Sequence, residues 1–369
     1  MVDQSAALPT VSLWCGAYTS PHGTGLGISA LGTGLNAAGL NAAGLGTVHV
    51  EVAAAADSPS FLVEHPTLPL LYAVAEFDGM VQAFRRAEET ALEPLGAPWP
   101  AGPAACHVFV DPDGRFLVVT CWGDGAVLFY GLDAAGQIVS RQSAAPATDP
   151  YPGDARQSRA HATALLPDGR ILTTDLGYDL LRVWRVDAGT STDAGTGTDA
   201  GTGLRLDQEL PVGAGTGPRH LAVHPSGHVY VVTEYSIEAV VIGQDAGERF
   251  EVIDRIPATD TGAQPGDAAA EISLNETGTR VYVTVRGSNR LATFAVQDAG
   301  ARLELIGDVD CGGNWPRHHL QRGDWLFVAN QLSNEVTTFA LDPSTGLPTT
   351  PLGSIPVGSP TCLIARSVR

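Results

Sequence analysis

The stretch DPDGRFLVVTCWGDGAVLFY, residues 111–130, decides the fold. It opens with a turn in which Pro112 presets φ and Gly114 accepts a positive φ. Two short runs follow, Phe116 to Val119 and Val127 to Tyr130, parted by a second Gly-containing turn. Both runs are β-branched or aromatic and apolar on both faces, the pattern of strands covered on each side by other sheets. The same order returns at Leu166 (LPDGRILTTDLGYDLLRVW), His224 (HPSGHVYVVTEYSIEAVVI) and Asn275 (NETGTRVYVTVRGSNRLATF), and more loosely near His65 and Gln321. The period is roughly 45 to 58 residues, which marks propeller blades stacked round one continuous core. Helical spacing sustained over a dozen residues is absent from the sequence.

Six copies leave both ends of the chain incomplete. A strand pair between Val11 and Ile28, containing Trp14-Cys15-Gly16-Ala17-Tyr18-Thr19, lacks apolar partners, and Pro360-Thr361-Cys362-Leu363-Ile364 lacks what should follow it. Joining them completes a seventh blade and removes both sheet edges. The sequence therefore predicts an all-β chain, a seven-bladed β-propeller closed by its terminal strands, forming a single domain over residues 11–366 after a tail at 1–10. Two low-complexity inserts, the LNAAG copies at 35–44 and the DAGT-like copies at 187–203, are too poor in bulky apolar residues to join a core and are expected as outer loops.

The chain is 44% apolar and 17% charged, ample for a core. Its net charge of -19 argues against nucleic acid or an anionic membrane as partner, since both need a basic footprint. All 21 cationic side chains are arginine, which excludes a Schiff-base or P-loop lysine. Cys15, Cys106, Cys121, Cys311 and Cys362 form no C-x-x-C pair and are odd in number, as expected of reduced, buried thiols rather than disulfides or zinc ligands. The opening MVDQSAALPTVSLW lacks the basic flank and long apolar run of a signal peptide, and no segment reaches membrane-spanning length. A cytoplasmic monomer or weak homodimer is the expectation.

Candidate chemistry lies where equivalent positions diverge. Eight residues before the closing residues Phe84, Tyr130, Trp184, Ile242, Phe294 and Phe339 stand Glu76, Trp122, Leu176, Glu234, Arg286 and Gln331. A second slot, just before the first strand of each repeat, reads Ala105-Cys106-His107, Arg159-Ala160-His161, Pro218-Arg219-His220, Ala270-Glu271-Ile272 and Pro316-Arg317-His318. If first strands line a central channel, Glu76, Glu234, Glu271, Arg219, Arg286, Arg317, His107 and His161 converge on one mouth of it. Such a pocket suits a small anion, because Arg grips carboxylate or phosphate through paired hydrogen bonds. The same charges could instead be ion pairs tying blades together. His220 and His224 read as strand caps or bridges, and Asp175 as a turn acid.

With these residues in order, the chain resembles the lactonase family of seven-bladed propellers, which includes cycloisomerase-type 6-phosphogluconolactonases and carboxymuconate-lactonizing enzymes. The fragments carrying the resemblance include Gly16-Ala17-Tyr18-Thr19, Tyr72-Ala73-Val74-Ala75-Glu76, Gly102-Pro103-Ala104-Ala105-Cys106-His107, Gly217-Pro218-Arg219-His220-Leu221 and Pro316-Arg317. The resemblance implies catalytic roles for His161, Arg219, Glu234 and Arg286, with Glu76, His107, Glu271 and Arg317 binding substrate. Ser158-Arg159-Ala160-His161 departs from the Pro-His-x-His stretch usual in the family, keeping only the second imidazole, and Val285 stands where Asn commonly precedes Arg-Gly.

Lactone hydrolysis needs a water, a base and donors aimed at the developing oxyanion. The expectation is a sugar-acid lactone, foremost 6-phosphogluconolactone, with Glu234 or His161 as base and Arg219 and Arg286 at the oxyanion or the sugar acid. Arg317 is expected to help bind a phosphate. A lactonizing enzyme on a carboxymuconate-like diacid and a non-catalytic binding platform are the alternatives. No G-x-S-x-G elbow, H-E-x-x-H pair or dedicated calcium loop appears, so neither a metal nor a cofactor is expected.

Overall fold

The computed structural model describes residues 12–33, 48–151, 153, 155–187 and 203–367. They form seven antiparallel sheets of four strands, one of which carries an extra short strand, Trp99–Pro100. Blades 1 to 6 open with Leu62–Glu64, Ala105–Val110, Ala160–Leu165, Pro218–Val223, Ala268–Leu274 and Pro316–Arg322. In blade 7 the last strand of the chain, Pro360–Ala365, pairs with the first described one, Ser12–Ala17, which continues into Ile28–Thr33 and Val48–Ala54. The two incomplete ends of the sequence thus complete each other. The insert expected at 35–44 lies outside the described residues, as does all of 187–203 except its end residues.

Each pair of neighbouring blades encloses its own apolar cluster. Blades 7 and 1 meet over Trp14, Ile28, Leu62 and Phe84, while blades 4 and 5 meet over Tyr230, Val241, Val283 and Phe294. Seven such clusters cover the seven interfaces, so the strand Val229–Thr233 is buried along its whole length. That burial on both faces explains why the strands read as unbroken apolar runs. Polar stitches repeat with the blades. The hydroxyls of Tyr72, Tyr230 and Tyr282 donate to the carbonyls of Gly136, Gly300 and Gly346, each in the next blade, at 2.7, 2.9 and 3.1 Å.

A bulge near the start of several first strands positions the site. Ala160 pairs with Asp175 and Thr163 with Thr173, so His161 and Ala162 together oppose Thr174. Arg219 and His220 oppose Val232 in the same way, and Ala270 and Glu271 oppose Thr284. These residues lie within the first strands and not just before them, which corrects the placement expected from sequence. A bulge breaks the alternation of side chains, and this is how Arg219 and His220, adjacent in sequence, both face the channel. Thr174 fixes two bulges at once: its hydroxyl accepts the Ala162 N–H at 2.9 Å and donates to the Arg219 carbonyl at 2.7 Å across the blade boundary.

Replacing the fully buried Thr174 by Val keeps the shape but leaves both backbone groups unpaired. A cost of about 1–3 kcal/mol per orphaned group is expected, read from the midpoint of denaturant unfolding. A Thr174→Val protein as stable as the parent would contradict this role.

Candidate active site

Glu234 follows the second strand of blade 4 and projects where blades 4 and 5 meet. Its Oε2 lies 3.0 Å from Arg219 Nε and 2.8 Å from Arg286 Nη2. Arg219 is 3% exposed, whereas the Glu234 side chain keeps 19% of its surface open. The guanidiniums are further held by three consecutive carbonyls of the blade 5 first strand. Arg286 donates to Ala268 and Ala269 at 3.1 and 3.3 Å, and Arg219 donates to Ala270 at 2.5 Å. Arg219 Nε–H, though near the carboxylate, is not aligned with it and has no hydrogen-bond acceptor among the described residues. Burial lowers the pKa of both arginines while Glu234 opposes the shift, and Arg286, at about 10, stays charged at neutral pH.

Deeper in the channel the charges give way to imidazoles. His161 and His220 have ring centroids 5.0 Å apart, His107 and His220 5.7 Å, and Phe61 packs on His107 at 4.2 Å. Burial first, followed by His220 and Arg219 at His107 and by Arg219 at His161 and His220, pushes all three well below the ordinary histidine range. Glu271 Oε2 lies 2.7 Å from His220 Nδ1 and 3.3 Å from His318 Nε2. Burial raises the Glu271 pKa, with His318 and Arg219 pulling the other way. On another side of the mouth, Tyr18 donates its hydroxyl to both Glu76 oxygens at 2.9 Å. Arg317 sits over the Tyr18 ring with Nη2 3.8 Å from Glu76.

All eight residues singled out from sequence, His161, Arg219, Glu234, Arg286, Glu76, His107, Glu271 and Arg317, therefore belong to this channel, on the ends and bulges of blades 1 to 6. The structure adds Tyr18, Phe61, His220, His318 and Trp315, whose ring lies 5.4 Å from the Arg286 guanidinium. His220 is not the strand bridge expected from sequence, because the bulge turns it to the axis. His224 is a bridge: its Nε2 reaches the Gly278 carbonyl of the next blade at 3.2 Å. Asp175 is a turn acid, accepting the backbone N–H groups of Arg159, Gly177 and Tyr178. Exposed Phe77, Trp122, Tyr235 and Leu332, from four different blades, occupy positions at or beside the mouth slot.

A family model described as "Lactonase, 7-bladed beta-propeller" matches residues 12–365. The chain belongs to this lactonase family. It is 27% identical over 325 residues to the 6-phosphogluconolactonase of Bacillus subtilis (strain 168), covering 85% of this chain and 88% of that one. Against the 6-phosphogluconolactonase of Yersinia pestis (strain Pestoides F) it is 27% identical over 307 residues, 78% of this chain and 81% of that one. The structure of the periplasmic gluconolactonase of Pseudomonas aeruginosa superposes with a TM-score of 0.84 at 25% identity, over 97% of this chain and 99% of that one. Among the described residues of this lactonase, no three His, Cys, Asp or Glu side chains are disposed to hold a metal ion, and no helix is long and apolar enough to cross a membrane.

The buried imidazoles make stability depend on pH. His318 and His319 are also lowered by burial, both to about 3. In the unfolded chain all five titrate near 6.5, so unfolding takes up protons once the pH falls below that value. Their contribution is whole above about pH 6.5 and is lost on acidification, each imidazole steepening the loss by up to about 1.4 kcal/mol per pH unit. Glu271, with its pKa raised by burial, opposes the trend from its folded-state pKa down to the ordinary carboxylate value. The melting temperature should fall steeply between pH 6.5 and 5; a flat profile over that interval would contradict neutral burial.

Proposed function

We propose that this lactonase hydrolyses 6-phosphogluconolactone to 6-phosphogluconate, with His161 as general base and the Arg219–Arg286 pair stabilising the oxyanion. The observation that carries the reading is the buried Arg219 Nε–H, a charged donor without an acceptor among the described residues, in a guanidinium pair fixed by one carboxylate. The names of the Bacillus and Yersinia relatives support the phosphorylated substrate.

In this mechanism Glu234 holds the two guanidiniums in place, leaving His161 to take the proton. Burial keeps His161 neutral and so able to accept. A water attacks the lactone carbonyl as its proton passes to the imidazole, and the carbonyl oxygen becomes an oxyanion against Arg219 and Arg286. Collapse re-forms the carbonyl, breaks the bond to the ring oxygen, and returns the proton from His161 to the leaving alkoxide. The arginines that disfavour an imidazolium in the free protein disfavour it less once an anionic substrate and the oxyanion offset their charge. Preorganised donors of this kind act without reorganising during the reaction.

Turnover of 6-phosphogluconolactone without added metal is expected, with one oxygen from labelled water entering the carboxylate. His161→Ala should lower kcat about 10²- to 10⁴-fold with KM little changed, and Arg219→Ala should cost about 3–4 kcal/mol in kcat/KM. A His161→Ala enzyme retaining a tenth or more of kcat would rule out the base assignment. An unsaturated acid formed without label would rule out hydrolysis.

A further inference from the structure

The ion pairs of the mouth leave one cation over. Arg219 and Arg286 share Glu234, and Arg317 faces Glu76 and lies on Tyr18. Arg159 has no such partner: among the described residues no carboxylate oxygen lies within 4.0 Å of its guanidinium, and its side-chain N–H groups make no hydrogen bond. Its Cζ instead lies 3.7 Å from the ring centroid of Trp122, which occupies in blade 2 the slot held by Glu234 in blade 4 and is 38% exposed. The charge of Arg159 also acts on Tyr235, the residue after Glu234.

This placement is built by the surrounding chain. Asp175 fixes the backbone of Arg159 and not its guanidinium, accepting the Arg159 N–H at 2.8 Å and the hydroxyl of Ser158. Leu176 N–H returns a bond to the Arg159 carbonyl at 2.9 Å. The side chain then passes Gly177, where a Cβ would lie 2.9 Å from Arg159 Cγ and 1.9 Å from the Gln157 carbonyl oxygen, so only glycine leaves room. His161 stands two residues further along the chain, in the bulge of the strand Ala160–Leu165 that Arg159 leads into.

We propose that Arg159, stacked on Trp122, receives the terminal phosphate of the substrate and sets the preference for a phosphorylated over an unphosphorylated sugar lactone. This rests on the lactonase reading above and deepens it. A guanidinium offers phosphate two parallel charge-assisted hydrogen bonds, and stacking on an indole fixes its plane without neutralising it. Arg317, expected from sequence to take a phosphate, already has its charge opposed by Glu76.

The test compares kcat/KM for 6-phosphogluconolactone and for gluconolactone in the parent, Arg159→Gln, Arg159→Lys and Trp122→Leu proteins. The ratio of the two values should fall tenfold or more in Arg159→Gln, mainly through KM for the phosphorylated lactone. Part of it should return in Arg159→Lys, and Trp122→Leu should lie between. Turnover of gluconolactone reports that each variant is folded. An unchanged ratio in Arg159→Gln, or a parent enzyme with no preference for the phosphorylated lactone, overturns the proposal. If the parent opens neither lactone, the lactonase reading fails, and calorimetric titration with inorganic phosphate decides Arg159 by itself. Binding at least tenfold weaker in Arg159→Gln supports the anion site, and equal binding overturns it.

Discussion

One carboxylate, that of Glu234, holds two buried arginines from different blades, and the arrangement of the channel follows from it. A guanidinium taken out of water needs a counter-charge and an acceptor for each N–H. Glu234 supplies the charge to both Arg219 and Arg286, and carbonyls 268 to 270 of blade 5 supply acceptors. Ala268 and Ala269 stay in register with Arg286 and Val285, and Ala270, the acceptor of Arg219, lies in the bulge that follows. The ion pair and the bulge thus depend on each other, and through Thr174 the backbone of Arg219 is tied to blade 3 as well. Blade closure is the condition for all of it, since only a closed ring keeps the first strands of distant segments at one axis.

An acidic protein can hold an anion here because its charges are segregated. The net charge of -19 belongs to the whole chain, while four arginines, Arg159, Arg219, Arg286 and Arg317, gather at the mouth, where among the described residues Glu76 and Glu234 are the carboxylates within 4.0 Å of them. Below them the imidazoles stay neutral, so the positive potential is confined to the level where an anionic group would enter. Exposed aromatic surface at Trp122 and Tyr235 borders that level and offers an apolar wall to a sugar ring.

Much of this was legible in the sequence, for a physical reason. Stacked blades repeat their turn chemistry, and Asp111-Pro112-Asp113-Gly114 or Pro225-Ser226-Gly227 marks each hairpin, so equivalent positions can be aligned and the charged oddities stand out. Glu234 and Arg286 were found in this way, and the closing pair Ser12–Ala17 with Pro360–Ala365 follows from two orphan ends. His220 and His318 were not recognised as channel residues, because strict alternation turns the neighbour of an inward arginine outward and nothing in Pro218-Arg219-His220 announces a bulge. Tyr18 was missed because the split blade has no intact copy against which to align it. The separation of Glu271, clamped between two imidazoles, from the arginine pair at the mouth depends on depth along the channel, which a pattern along the chain does not encode.

The most direct test of the account is a double-mutant cycle on kcat/KM for 6-phosphogluconolactone, using Glu234→Gln, Arg286→Gln and the double variant. If one carboxylate positions the arginine pair as a unit, the second substitution should add little to the first, with a coupling energy of about 1.5–3 kcal/mol. Effects that add to within about 0.5 kcal/mol would show that Glu234 and Arg286 act independently, and the account would fail.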